Sequence, residues 1–174
     1  RFRWIAKLGL TRQWYGRTWV GGLRRGTKRT GVKTYGFTKG FKTEDITTWV
    51  REVAAKAGKW RGLGGIIVAL DIATAFDTTN HDTLEKSMKD MNVDSRTGAA
   101  VLADYFDKTA TITIEGTTTK EFDVNRGGWT GGVRTPDEFN TIVKAAFRQT
   151  VESWRERDMG IEMDSGEVTN HAIC

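Results

Sequence analysis

The sequence predicts an α+β fold in which helices back an antiparallel sheet. Apolar residues recur at helical spacing in some segments, alternate with polar residues in others, and form one continuous aliphatic run between them. With 174 residues, 38% hydrophobic and 28% charged, the chain suits one domain with a buried core. No apolar stretch approaches the roughly 20 residues that cross a bilayer, so no membrane partner is expected.

The first third of the chain gives one clear helix. Residues 1–35 show no clean periodicity, and the segment 24–29 is interpreted as a basic loop. A helix is predicted from Thr43 to Gly58, where glycine ends it. Its buried face would consist of Ile46, Trp49, Val50, Val53 and Ala54. A buried strand at 64–71 follows, because this run is aliphatic throughout.

Two further helices and a hairpin occupy the middle of the chain. The helices are predicted near 81–92, with a cap at Asp82 and Glu85, and near 95–107, with Ser95 as the N-cap. Alternating residues at 111–114 and 121–124 then flank Gly116, which predicts a β-hairpin.

A glycine-rich stretch at 125–133 leads into the best helix start in the sequence. Thr135 is expected as the N-cap and Pro136 as the first helical residue, with Glu138 completing a capping box. The chain then turns at 164–166 into a predicted closing strand, 168–173.

The net charge of +5 is unevenly distributed. Residues 1–63 carry 16 Lys and Arg against 3 Asp and Glu, while residues 64–174 carry 11 against 19. The basic part also holds five of the seven tryptophans. Such a surface favours phosphates and unstacked bases, although a solvated basic face with buried tryptophans is an equal alternative. The single cysteine excludes an intramolecular disulfide and fits a reducing, intracellular compartment.

The strongest candidate functional residue is Asp71, at the end of the aliphatic run. A carboxylate at a strand tip is a hard oxygen ligand that suits Mg²⁺. An aspartate at this place can instead start a turn or cap a helix. A phosphotransferase of the haloacid type, with Asp71 as nucleophile, is less favoured because Ala73 stands where that chemistry needs a second aspartate.

Three blocks in order resemble the reverse transcriptases of retroelements, in particular the non-LTR retrotransposon and group II intron branch. Residues 71–77 with Asn80 and His81 look like motif A. Residues 36–45 look like the preceding fingers block, and residues 126–133, continuing through Pro136 to Asn140, look like motif B. The resemblance covers roughly residues 35–174.

The resemblance implies the fingers–palm part of a polymerase right hand, with a basic fingers segment at 1–63 and a palm segment at 64–174. It implies an RNA-directed DNA polymerase, a nucleotidyltransferase that extends a DNA primer on an RNA template with dNTPs and two Mg²⁺ ions, with Mn²⁺ as a possible substitute. Asp71 would be the catalytic ligand of both ions, and the carbonyl of Ile72 would add one oxygen.

The same resemblance implies residues that bind nucleotide and template. Phe76 would stack under the incoming sugar as a ribose gate, unless it is simply the first core residue of the next helix. Lys39 and Lys42 would meet phosphates or else be solvated. Arg126 would position the motif B loop, and Gly131 would let the backbone approach the nucleotide closely.

Departures from the family pattern limit what is expected. Thr130 stands where glutamine is usual in motif B, and Thr38 and Phe41 stand where basic residues are common. The paired aspartates of motif C would follow Cys174, so the chain is expected to be inactive on its own. The alternative is a decayed retroelement copy that only binds RNA. The nucleus is the expected location of the parent enzyme, and the oligomeric state is left open.

Overall fold

The computed structural model describes residues 5–28, 31–59, 67–106, 108–163, 166 and 168–173. Within these residues there are five helices and six two-residue strands. The helices are α1 (Leu10–Thr27), α2 (Thr43–Lys59), α3 (His81–Asp90), α4 (Ser95–Leu102) and α5 (Thr135–Glu156). The strands are β1 (Thr109–Ala110), β2 (Thr113–Ile114), β3 (Thr117–Thr118), β4 (Phe122–Asp123), β5 (Ile161–Glu162) and β6 (Val168–Thr169).

The strands pair only in twos among the described residues. β1 pairs with β4, β2 with β3 and β5 with β6, each antiparallel. Helices and antiparallel strands are therefore both present, while the larger palm sheet stays a prediction. None of the helices described has the length and apolar character needed to span a membrane.

The chain divides into two compact units. The first comprises residues 1–29 and 73–145, and the second comprises residues 30–72 and 146–174. This division does not coincide with the predicted segments 1–63 and 64–174, which were defined by function and remain a prediction. The core of the first unit joins α1, α3 and α4 through Leu23, Leu84, Met88, Val101 and Tyr105.

Helix α1 overturns the prediction of an aperiodic start with a basic loop at 24–29. Its glycines form the surface that packs on neighbouring residues. A Cβ at Gly22 would lie 2.2 Å from Thr97 Oγ1, and one at Gly26 would lie 2.6 Å from Val93 Cγ2. Because glycine adds nothing to a hydrophobic pattern, this packing surface is invisible to a search for apolar periodicity.

Helices α3 and α4 are confirmed, although α4 ends at Leu102, before its predicted end near residue 107. Both caps were misassigned by one or two residues. The Asn80 side chain accepts hydrogen bonds from the backbone of Asp82 (2.8 Å) and Thr83 (3.4 Å). Asp94 Oδ1 likewise accepts from the backbone of Thr97 at 2.8 Å. Asn80 lies two residues before the predicted cap Asp82, and Asp94 lies one residue before Ser95. Both have the extended ψ that an N-cap requires, 131° and 144° respectively.

The hairpin is also confirmed, with β2 and β3 next to its turn and β1 and β4 farther out. Glu115 and Gly116 both have positive φ, 49° and 82°. Two such residues in a row form the mirror-image turn whose twist matches that of the flanking strands.

The second unit is built on α2, which continues past the predicted end at Gly58. Its first turn is capped by Asp45, whose Oδ2 accepts from the Lys42 backbone at 2.6 Å. Trp49 Nε1 donates to Thr169 Oγ1 at 3.1 Å, which joins α2 to β6. The predicted strand 168–173 starts as β6, and after Thr169 it is paired only at Ile173, in a bridge to Thr34.

The predicted buried strand at 64–71 is wrong for its described part. Residues 67–72 form no strand, and Val68 and Leu70 are 71% and 78% exposed. None of the described strands pairs with this run. Its backbone therefore makes no strand-to-strand hydrogen bonds with them, and its side chains have no sheet face to pack in. Residues 64–66 lie outside the described residues.

Candidate functional site

The glycine-rich loop 126–133 is hydrogen-bonded to the segment that follows Asp71 in the sequence. Gly128 N donates to the Phe76 carbonyl at 2.7 Å, and Gly127 N donates to the Thr79 carbonyl at 2.8 Å. His81 Nε2 lies 3.0 Å from the Gly127 carbonyl. Since a carbonyl can only accept, this nitrogen carries the proton. Parts of the two motif-like segments are thus in direct contact.

The contact between the loop and the segment 76–81 requires glycine at position 127. Its φ is +90°, and a Cβ there would lie 3.0 Å from the Asp77 carbonyl oxygen. Backbone conformation and close approach therefore both select glycine.

The next turn of the loop carries Thr130 and Gly131. Thr130 Oγ1 lies 3.4 Å from Asp77 Oδ1, and its carbonyl accepts from the Ala6 backbone at 2.7 Å. Gly131 has φ +99°, and a Cβ there would lie 3.1 Å from Ile5 Cγ2. The predicted contact residues are therefore supported from behind by residues 5 and 6, a support that the sequence did not predict.

Phe76 packs against the first half of α5. Its ring centre lies 5.4 Å from that of Phe139, at an interplanar angle of 71°. This edge-on contact is typical of core aromatics and fits the alternative interpretation of Phe76. It also fixes the orientation of the ring beside the loop.

A network of buried charges lies behind the loop. Arg134, only 4% exposed, pairs with Glu138 and with Asp104 Oδ2 at 2.6 Å. Arg12 reaches the other oxygen of Asp104 at 2.8 Å, and the Tyr105 hydroxyl donates to Glu138. Burial, and then the charge of Glu138, raise the pKa of Tyr105, which stays a protonated donor.

This network replaces the predicted capping box. The carboxylate of Glu138 is engaged by Arg134 and Tyr105, and the Thr135 hydroxyl donates to the Trp129 carbonyl at 2.8 Å. The first helical hydrogen bond runs from Glu138 N to the Arg134 carbonyl at 3.0 Å. The helix therefore starts one residue earlier than predicted.

Trp129 is held in the loop on two sides. The Arg12 guanidinium lies 4.4 Å from its ring centre, and its Nε1 donates to the Asp104 carbonyl at 3.3 Å. Sequence reasoning missed Arg12, Asp104 and Arg134. They are separated by up to 122 positions, so no local spacing could reveal them.

Arg126 is exposed and lines an open, polar cleft of about 510 Å³. Its neighbours around the cleft include His81, Tyr105, Lys108 and Asp123. His81 links the cleft to the loop, because it lines the cleft and its Nε2 donates to the Gly127 carbonyl.

The other predicted site residues belong to the second unit. Asp71, Ile72, Lys39 and Lys42 are all exposed. In the fingers-like block, where the family commonly has a basic residue, the Phe41 ring packs edge-on against Tyr35 at 4.9 Å. The first unit thus assembles Phe76, Arg126, Thr130 and Gly131, and the second carries the metal and phosphate candidates.

A metal site depends on how acidic and imidazole side chains are grouped. Among the described residues, no three or more His, Cys, Asp or Glu side chains are grouped so that they could hold an ion. Mg²⁺ requires a near-octahedral set of oxygen ligands, and a two-ion centre needs bridging carboxylates. The described residues by themselves do not fit such a centre.

One curated protein is similar in sequence to part of this chain. The Retrovirus-related Pol polyprotein from type-1 retrotransposable element R2 of Popillia japonica is 28% identical over 78 residues. The match covers 44% of this chain and 11% of the polyprotein, so the chain spans about a tenth of that relative. No family model and no solved structure matches the chain. The similarity indicates a retroelement-related origin.

Proposed function

We propose that this chain is part of an RNA-directed DNA polymerase and forms the surface that receives the template and the incoming dNTP. The observation that carries the proposal is the hydrogen bonding between the loop 126–133 and the segment 76–81. Two segments that resemble nucleotide-handling motifs meet there, at glycines that admit close approach of another backbone.

Five of the predicted site residues contact the substrates in this proposal. Thr130 and Gly131 contact the nucleotide and template, and Phe76, oriented by Phe139, limits the space beside the sugar. Lys39 and Lys42 neutralise phosphates. Because the described residues hold no carboxylate cluster, the proposal assigns substrate positioning to them and no metal-dependent step.

The test is primer extension by the natural protein that contains this chain, with an RNA template, a DNA primer and dNTPs. Gly127→Ala pushes a side chain toward the Asp77 carbonyl and is expected to lower kcat/KM for dNTPs at least about tenfold. Gly116→Ala is the matched control, since that glycine also has positive φ but no atom lies within 4 Å of its Cβ position. Assays run below the melting temperature of both variants.

A second variant tests the sugar contact. Phe76→Val is expected to raise the incorporation of ribonucleotides relative to deoxyribonucleotides. Unchanged sugar discrimination in a folded Phe76→Val variant, or equal activity of Gly127→Ala and the parent, would contradict the assigned roles.

The second candidate function is a non-catalytic RNA-binding domain of a decayed copy. Two observations favour it: Thr130 has too short a side chain for the usual glutamine contact, and the described residues lack a carboxylate cluster. RNA binding without primer extension, in Mg²⁺ and in Mn²⁺ alike, would select this candidate.

A further inference from the structure

We propose that the outer face of α1 binds single-stranded RNA, with one base stacked on Trp14 and the backbone following the arginines beyond it. The choice of RNA over other single strands rests on the proposed function. The site lies wholly within the first unit and uses residues that the motif comparison does not include.

The first half of this face is apolar and exposed. Leu10 and Trp14 are one helical turn apart, at 85% and 69% exposure. An indole ring that stands mostly in water offers its flat π surface to a ligand. Unpaired bases are the ligands that combine a stacking surface with a polyanionic backbone.

The second half of the face is cationic. Helix α1 contains four arginines and no acidic residue. Arg12 and Arg24 are engaged by Asp104 and Asp137, whereas Arg17 and Arg25 are exposed on the side of Trp14. The helical rise places Arg25 about 16 Å along the axis from Trp14, a span that covers several phosphates.

Arg25, one of the two exposed arginines on this face, has an acidic neighbour. Asp94 interacts electrostatically with Arg25. Its carboxylate is occupied by the backbone and hydroxyl of Thr97, at 2.8 and 2.6 Å. Arg17 is therefore expected to contribute more to phosphate binding than Arg25, and it lies one turn from Trp14.

Helix α1 is anchored on α4, so its backbone needs little ordering on binding. Glycine packing fixes α1 on α4, and the Tyr15 hydroxyl donates to the Ala100 carbonyl at 3.4 Å.

The test measures binding of a fluorescein-labelled, unstructured 12-nucleotide RNA to the 174-residue chain by anisotropy. Trp14→Ala is expected to weaken binding about fivefold or more, from the loss of one stacked base, and Trp14→Phe to keep most of the affinity. Phe122→Ala, an exposed aromatic of the hairpin, is the matched control and should bind like the parent.

The charge contribution is read from the salt dependence. Arg17→Gln is expected to reduce the slope of log K against log salt by about 0.7, the value for one phosphate of a single strand. Lys120→Gln, an exposed cation of the hairpin, should leave the slope unchanged. Circular dichroism melts verify that all variants fold.

Three results would overturn the inference. They are parental affinity in both Trp14→Ala and Arg17→Gln, equal affinity for a duplex of the same length, and Trp14-dependent self-association in sedimentation, which would make the face a contact between copies. Loss of primer extension with Trp14-dependent RNA binding intact would overturn the proposed function and leave this inference standing.

Discussion

The loop 126–133 and the run 67–72 were both predicted to shape the site, and they differ in what holds them. The loop is rich in glycine, yet hydrogen bonds to Phe76, Thr79 and His81 fix its backbone. The run is aliphatic, yet its side chains stand in water and it joins none of the described strands. Apolar composition alone did not produce a strand, whereas hydrogen-bonded backbone groups hold the loop.

The difference has a physical origin. A loop can satisfy its backbone groups with partners that the fold already provides, and glycine removes the steric obstacle. A strand needs a second strand at the right distance before burial of its side chains stabilises anything. Substitutions made separately in the loop and in the run test this difference.

The largest effect is expected from the charges behind the loop. Arg134→Met leaves Glu138 buried without its cation, while Asp104 keeps its ion pair with Arg12, and should lower the free energy of unfolding by about 3–5 kcal/mol, measured by urea denaturation. The double variant Arg134→Met/Glu138→Gln removes the unpaired charge and should recover part of this loss. A single variant within 1 kcal/mol of the parent would show that the network does not hold the loop.

The next effect concerns the backbone of the loop itself. Gly127→Ala should cost about 2–3 kcal/mol of unfolding free energy, from positive φ and from the contact with the Asp77 carbonyl. Gly116→Ala carries the conformational cost without the contact and should cost about 1 kcal/mol. Equal losses in the two variants would mean that the loop can move away from Asp77.

A pH effect is expected in the second unit. His171 Nε2 accepts from the Lys33 backbone at 2.8 Å, and its Nδ1 lies 2.6 Å from Asn170 Oδ1. Burial, and then the charges of Arg155 and Lys33, lower the pKa of His171. The unfolded chain therefore binds a proton at higher pH than the folded one, and stability falls as pH drops below about 6.5.

The slope from this one group is at most about 1.4 kcal/mol per pH unit, measured by urea denaturation between pH 7 and pH 5. His171→Gln should remove that contribution. An unaltered pH profile in His171→Gln would contradict the assigned neutral state.

The smallest effect is expected in the run 67–72. Leu70→Ser should change the free energy of unfolding by less than about 0.5 kcal/mol, because the side chain is already 78% exposed. Leu84→Ala, at a fully buried leucine of the core, should cost about 2–5 kcal/mol in the same experiment. A loss above 1 kcal/mol in Leu70→Ser would show that the run is buried after all.

Sequence reasoning succeeded where the signal was local. The helices α2, α3 and α5 and the hairpin around Gly116 follow from short-range periodicity and turn chemistry. The caps at Asn80 and Asp94 were missed by a residue or two because several neighbouring polar residues are equally good caps.

Long-range features could not be predicted in the same way. The packing surface of α1 is formed by Gly22 and Gly26, which add nothing to a hydrophobic pattern. The network of Arg12, Asp104 and Arg134 depends on residues that are distant in the sequence. In the candidate site, the hydrogen bond between Phe76 and the loop was not predicted, and the predicted burial of the strand 64–71 is wrong for its described part. In these cases the structure depends on which distant residues come into contact, and not on the local propensity of the segment.

The glycines of α1 also limit how the sequence can diverge between copies of the gene. Every single-base missense change of a glycine codon adds at least a Cβ, and at Gly22 and Gly26 that atom would collide with Thr97 or Val93. At Gly9 and Gly58 the same change meets no atom within 4 Å. In copies that no longer need to fold, all four codons would drift alike. Substitution confined to the second pair would record that selection still maintained the fold.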